Sequence, residues 1–184
     1  MKNTATFAVL FLLFLSQYSK AQQFEKLIHY VNPLIGTEKM GHTYPGATVP
    51  FGAVQLSPET DTISYELNGK YNGEVYKYCA GYRYEDKTIV GFSSTHFSGT
   101  GHSDLGDFLI MPTVGTLQLN PGTASHPENG YRSRFSHQNE KAEAGYYKVK
   151  LEDDHIFFWQ NLPPQQERES TGILFQNLIR HTLF

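Results

Sequence analysis

Between Ser93 and Asp107 the chain reads Ser-Ser-Thr-His-Phe-Ser-Gly-Thr-Gly-His-Ser-Asp-Leu-Gly-Asp, gathering hydroxyls, two histidines and two carboxylates on one short stretch. His96, His102, Asp104 and Asp107 are residue types that ligate metals, but their spacing fits no helical or zinc-site template. Serine, histidine and aspartate are also the members of a nucleophilic triad, yet no Gly-x-Ser-x-Gly elbow accompanies them. Ser98-Gly99-Thr100-Gly101 lacks the Gly-Lys-Ser/Thr ending of a phosphate-binding loop. What remains is a dense polar surface displayed directly after a strand, the usual place for binding residues.

Two further segments could take part. Tyr78-Cys79-Ala80-Gly81-Tyr82 sets a small-residue step between aromatic rings. Cys79 reads as a small buried hydrophobe, because no basic or helix-N-terminal setting is present to lower the pKa of a reactive thiol. The run from Asn32-Pro33-Leu34-Ile35-Gly36-Thr37 through Gly41-His42-Thr43-Tyr44-Pro45-Gly46 to Pro50-Phe51-Gly52 is rich in glycine and proline. Glycine lets the backbone approach a partner closely and proline stiffens the loop, so this run is either a rigid rim or a tightly packed structural loop.

These segments need a scaffold, and its pattern is that of strands. Ala53–Ser57 reads as a strand stopped by Pro58. Val75–Cys79, Tyr82–Tyr84, Thr88–Phe92, Phe108–Met111, Val114–Leu119, Tyr131–Phe135 and Tyr146–Leu151 follow, the later ones alternating with period two. Asn68-Gly69 and Asn72-Gly73 are turn dipeptides. Short strands, turn signals and no convincing amphipathic helix argue for an all-β fold, an antiparallel sandwich, formed as a single domain without an internal repeat.

Composition narrows the function classes. A formal charge of −3 without a basic run leaves no electrostatic footprint for nucleic acid or an anionic membrane. Twelve tyrosines and thirteen phenylalanines suit both a sheet core and the faces of sugar rings. Cys79 is the only cysteine, so no intramolecular disulfide can form. Lys2, the apolar run Phe7–Leu15 and Ser19-Lys20-Ala21 read as a signal peptide over residues 1–21, too short to span a bilayer. The mature chain is therefore expected outside the cytoplasm, in a periplasm or the extracellular space, with no membrane span.

Taken in order, the loop Asn32 to Gly52, the stretch Tyr78 to Tyr82 and the block His96 to Asp107 resemble the N-terminal domain of glycoside hydrolase family 92, the calcium-dependent, exo-acting α-mannosidases. The resemblance runs from Tyr30 to Ile156. It implies an incomplete β-sandwich over residues 22–156 that normally packs on a much larger (α/α)6 barrel, absent from this sequence, with the active site at their junction. It also implies release of terminal α-linked mannose with inversion, through one protonated carboxyl and one carboxylate that activates water. In the family both carboxyls and most or all calcium ligands come from the barrel, so no catalytic or metal residue is carried over to this chain, Asp104 and Asp107 included. By motif position Leu34, Tyr78 and Cys79 border the terminal mannose, and His96 and Phe97 are further contacts. Phe97 faces the leaving-group sugar where some relatives carry a tryptophan. The implied partners are a mannose-containing glycan and the missing barrel. A different class, a stand-alone carbohydrate-binding sandwich, uses Phe97 and the tyrosines as its platform.

After Ile156 the texture changes, with Phe157-Phe158-Trp159 leading to Pro163-Pro164 and no evident alternation. The family continues instead with a block resembling ELTATTRxGxHxYTFP. Back-translating Trp159 to Phe175 and reading one base earlier permits LAELTATTRAGVHRYTFP. Residues 157–184 are accordingly expected to be an out-of-frame, disordered tail produced by a single-base slip near Phe157 and Phe158.

Overall fold

The structure, a computed structural model, describes residues 27–48, 54–99, 101 and 108–161. The stretch expected to be a signal peptide, His102, Asp104 and Asp107, and the residues beyond 161 lie outside these. The chain divides into two units, 1–30 and 31–184. The described part of the first is an exposed 3₁₀ turn, Leu27–Tyr30. Everything below concerns the second.

Among the described residues ten strands follow in chain order: β1 Ser57–Glu59, β2 Glu66–Leu67, β3 Lys70–Tyr71, β4 Thr88–Ile89, β5 Gly91–Ser93, β6 Leu109–Ile110, β7 Ser133–Arg134, β8 Glu140–Glu143, β9 Tyr146–Leu151 and β10 Ile156–Asn161. Every pairing is antiparallel. Two three-stranded sheets, β1-β5-β6 and β10-β9-β8, carry the architecture, with the pairs β2-β3 and β4-β7 beside them. The expected all-β class is therefore the observed one.

The core lies where the two larger sheets meet. Along β9 the side chains alternate in depth, and Tyr147, Val149 and Leu151 are the fully buried set. Period-two alternation places one face of a strand inward, so this strand is legible from sequence. Phe92 of β5 stacks on Phe158 of β10 with centroids 3.5 Å apart and planes 11° from parallel, which ties one sheet to the other. Leu56, Tyr82, Ile89 and Phe135 complete the cluster.

A buried polar hub sits within it. The Glu140 carboxylate accepts hydrogen bonds from the Tyr82 hydroxyl at 3.0 Å and the Tyr147 hydroxyl at 2.7 Å, and it lies 2.6 Å from His137 Nδ1. Burial, reinforced by the Glu140 charge, pushes both phenols well above their ordinary range.

Several expectations are corrected. Val75–Cys79 is not a strand: Gly73–Tyr78 forms a 3₁₀ turn, because the Asn72 side chain accepts from the Glu74 N–H at 3.1 Å and its carbonyl accepts from Val75. That local cap outweighs the β-propensity of valine and tyrosine. Tyr82–Tyr84 also forms no strand. Thr88–Phe92 is two strands, since the chain leaves the β4-β7 pair and joins the β1-β5-β6 sheet at Val90. β1 runs through Pro58, which is tolerated because β1 is an outer strand. Val114–Leu119 alternates in sequence but forms no strand with any of the described residues. The tail boundary at 157 moves as well. Phe157–Asn161 continues β10 in full register with β9, and Phe158 is 1% exposed. Backbone pairing across the tight turn after Leu151 requires no particular side chains, while Phe158 falls on the inward face.

Candidate functional site

The site is built by the ends of two paired strands and one capped turn. Glu59 closes β1, Ser93 closes β5, and His96 follows three residues later. His96 Nδ1 donates to the Gln55 carbonyl at 2.7 Å, and its backbone N–H donates to Gln55 Oε1 at 3.0 Å. The other ring nitrogen, Nε2, lies 2.9 Å from both Ser93 Oγ and Glu59 Oε1, while the Ser93 hydroxyl donates to Glu59. Tyr44 covers the imidazole at a centroid distance of 4.8 Å. The ring is thus held at both nitrogens, from both strands.

Opposite it stand Tyr78 and Cys79 at the end of the capped turn. The Tyr78 hydroxyl is 2.9 Å from Thr62 Oγ1, with the Arg83 guanidinium over its ring at 5.5 Å. Burial raises the pKa of the phenol. The Cys79 thiol donates to the Gly99 carbonyl at 3.7 Å, and burial raises its pKa too, so it stays protonated near neutrality. Beyond the turn, Gly81 adopts φ +78°, and a Cβ there would stand 2.2 Å from Glu59 Oε2. Glycine is required at this point by conformation and by close approach together.

These groups enclose a polar cleft of about 40 Å³ lined by Glu59, Asp61, Tyr78, Cys79, Gly81, Thr95 and His96. Burial raises the Asp61 carboxyl pKa, with the Glu59 charge adding to the effect. The Arg132 guanidinium is anchored beneath, donating to the Asp61 carbonyl at 2.6 Å and to Thr88 Oγ1 at 3.2 Å. Carboxylates, a phenol and an imidazole converging on one cleft make a surface suited to a polyhydroxylated ligand. Its volume is far below the roughly 300 Å³ and more of a pocket that encloses a small molecule, so these residues form a surface and not an enclosing pocket.

Three of the residues singled out in the sequence, Tyr78, Cys79 and His96, therefore meet. Leu34 and Phe97 do not line this cleft. Leu34 packs against the core cluster, in a turn where its N–H bonds to Asn32 Oδ1 at 3.0 Å and its carbonyl accepts from Thr37. Phe97 is 38% exposed and lies against Gly101. Sequence reasoning missed Glu59 and Asp61, which follow Pro58 where the strand was expected to have ended. An acidic pair beside a strand terminus was the available signal. Among the described residues no group of three or more His, Cys, Asp or Glu side chains is placed to hold a metal ion.

The sequence pattern of the glycosyl hydrolase family 92 N-terminal domain matches residues 30–158. The chain belongs to glycoside hydrolase family 92. Among solved structures, this family 92 chain is 45% identical to an α-mannosidase of the family from Bacteroides thetaiotaomicron, determined in complex with mannoimidazole. The match has a TM-score of 0.66 and covers 76% of this chain and 17% of that one. A family 92 inverting mannosidase from the same organism is 26% identical, with a TM-score of 0.51, covering 77% of this chain and 17% of the other. A secreted glycosidase of Arthroderma benhamiae is 29% identical over 166 residues, 84% of this chain and 20% of that protein. The family 92 chain thus spans about a fifth or less of the relatives it matches, and what it shares with them is the N-terminal domain. No helix among its described residues is long and apolar enough to cross a membrane.

Proposed function

We propose that this chain forms the sugar-contacting front domain of an exported α-mannosidase and has no turnover of its own. The observation that carries the reading is the convergence of Tyr78, Cys79 and His96 with Glu59 and Asp61 on one polar cleft. The fold that displays this cleft is shared with an α-mannosidase solved in complex with mannoimidazole. Export is supported by the apolar leader read at residues 1–21 and by a relative named as secreted.

The cleft residues contribute binding and not chemistry. An inverting glycosidase needs an acid and a base flanking the bond, about 6.5–9.5 Å apart, with room between them for water and substrate. Here Glu59 is committed to Ser93 and His96, and Cys79 is a protonated thiol directed at a carbonyl. Calcium in the whole protein would draw its ligands from outside the described residues. The described chain orients sugar hydroxyls, and the chemistry belongs to polypeptide that this domain faces in its relatives.

The test is an α-mannosidase assay on the purified chain with calcium present, paired with calorimetric titration of a methyl mannoside. No turnover and affinity weaker than millimolar are expected. Turnover overturns the reading, and submillimolar affinity without turnover favours the stand-alone binding module.

A further inference from the structure

The Glu140 side chain is 1% exposed, and among the described residues no lysine or arginine pairs with it. Tyr82 and Tyr147 both donate to this carboxylate, which favours its ionised form. A buried carboxylate without a positive partner is costly, so its charge must be met nearby. Among the described residues the contact that can meet it is His137, at the start of the 3₁₀ turn His137–Asn139 that leads into β8.

The ring faces acceptors at both ends. Nδ1 lies 2.6 Å from Glu140 Oε2, and Nε2 lies 2.7 Å from the Tyr84 carbonyl oxygen. A neutral imidazole has one N–H and can satisfy only one of these, whereas the cation has two. The Tyr84 ring stacks on the imidazole at a centroid distance of 3.9 Å with planes 7° apart, and an aromatic face also favours a cation.

We propose that His137 is held as an imidazolium at neutral pH and acts as a proton-dependent latch, fastening the segment after Gly81 to β8. Tyr84 carries the connection onward, since its N–H donates to the Thr37 carbonyl at 3.0 Å and the Thr37 hydroxyl donates to Leu34. Tyr82, joined to the same carboxylate, directly follows the glycine that lines the polar cleft. When Nδ1 loses its proton, a lone pair faces the carboxylate and the contact turns from attraction to repulsion. The titratable groups around the pair are Tyr147 on β9 and Tyr82, Tyr84 and, farther off, Asp86 on the segment after Gly81. Tyr82 and Tyr147 keep their protons beyond the neutral range, so the exchange of a proton there falls to Glu140 and His137.

The test uses the full chain with ¹⁵N-labelled histidine, beside His137→Gln, whose side chain takes up no proton. At pH 7.5 both ring nitrogens of His137, assigned through the ring's contact with Tyr84, are expected to show the shifts of N–H nitrogens. An unfolded histidine has largely lost the second proton by then, so the folded chain holds one more. The folding equilibrium constant from urea unfolding should therefore fall as pH rises from 7 to 8, at least about threefold more in the unsubstituted chain than in the variant, with tenfold the limit for one proton. Between pH 7 and 9 the Tyr84 amide should lose at least about threefold more hydrogen-exchange protection, corrected for intrinsic rate, than the amides of β9. A neutral ring at pH 7.5, equal pH slopes in the two proteins, or Tyr84 protection that tracks β9 overturns the latch. Should the variant fail to fold, the ring-nitrogen shifts and the exchange comparison in the unsubstituted chain decide alone.

Discussion

Glu59 Oε1 lies 2.9 Å from His96 Nε2, joining the end of β1 to the loop that leaves β5. The contact closes the cleft on one side and fixes the imidazole that Gln55 holds on the other.

Removing that carboxylate takes the acceptor from the Ser93 hydroxyl and the neighbour from His96 Nε2 in a largely buried place. Glu59→Ala is expected to cost about 1–3 kcal/mol, read as a lower urea midpoint at neutral pH. An unchanged midpoint would show that the pair contributes nothing to the fold.

Gly81 and Glu59 are coupled through space. Gly81→Ala introduces both a left-handed residue with a side chain, costing roughly 1–2 kcal/mol, and a collision with the Glu59 carboxylate. Combining it with Glu59→Ala removes the collision and keeps the backbone strain. The double variant should therefore be more stable than the sum of the single losses by at least about 0.5 kcal/mol. Strict additivity would refute the close approach.

The buried phenols give the fold an alkaline limit. Tyr82 and Tyr147 have pKa values raised above those of the unfolded chain. Above about pH 10 the unfolded state releases protons that the folded state keeps, and stability falls with pH by about 1.4 kcal/mol per unit for each group. Below that pH their contribution is fully present. Tyr147→Phe should lower stability at neutral pH but flatten the fall between pH 10 and 11 by one proton's worth. Urea midpoints at pH 8, 10 and 11 give the slope, and equal slopes in the two proteins would count against this assignment.

Phe158 tests whether β10 belongs to the domain. Its ring fills the space between sheets against Phe92, so Phe158→Ala should cost about 3–5 kcal/mol. A loss below about 1 kcal/mol, by thermal or urea unfolding, would return the strand to the tail.

The family pattern ends at residue 158. We propose a frame slip at this junction. Sequencing the gene across these codons should reveal the ELTATTR-like block in the neighbouring frame, and its absence there would dispose of the slip.

Legibility followed range. β9 was readable because alternation of Tyr147, Val149 and Leu151 with polar neighbours is a property of one strand's geometry. The 3₁₀ turn at Gly73–Tyr78 was misread because its cause, the Asn72 cap, competes with side-chain propensity over only a few residues. Glu59 was missed because nothing local distinguishes a solvated glutamate from one aimed at a histidine on the neighbouring strand.

By itself the sequence determined the all-β class, the free thiol and the family, since each rests on local pattern or on the order of motifs. Only the tertiary structure decided that Tyr78, Cys79 and His96 share a cleft with Glu59 and Asp61 while Leu34 turns to the core. It also decided that Tyr82 and Tyr147 converge on Glu140. Those meetings depend on which strands pair and in what register, and register is set by the packing of residues far apart in the chain.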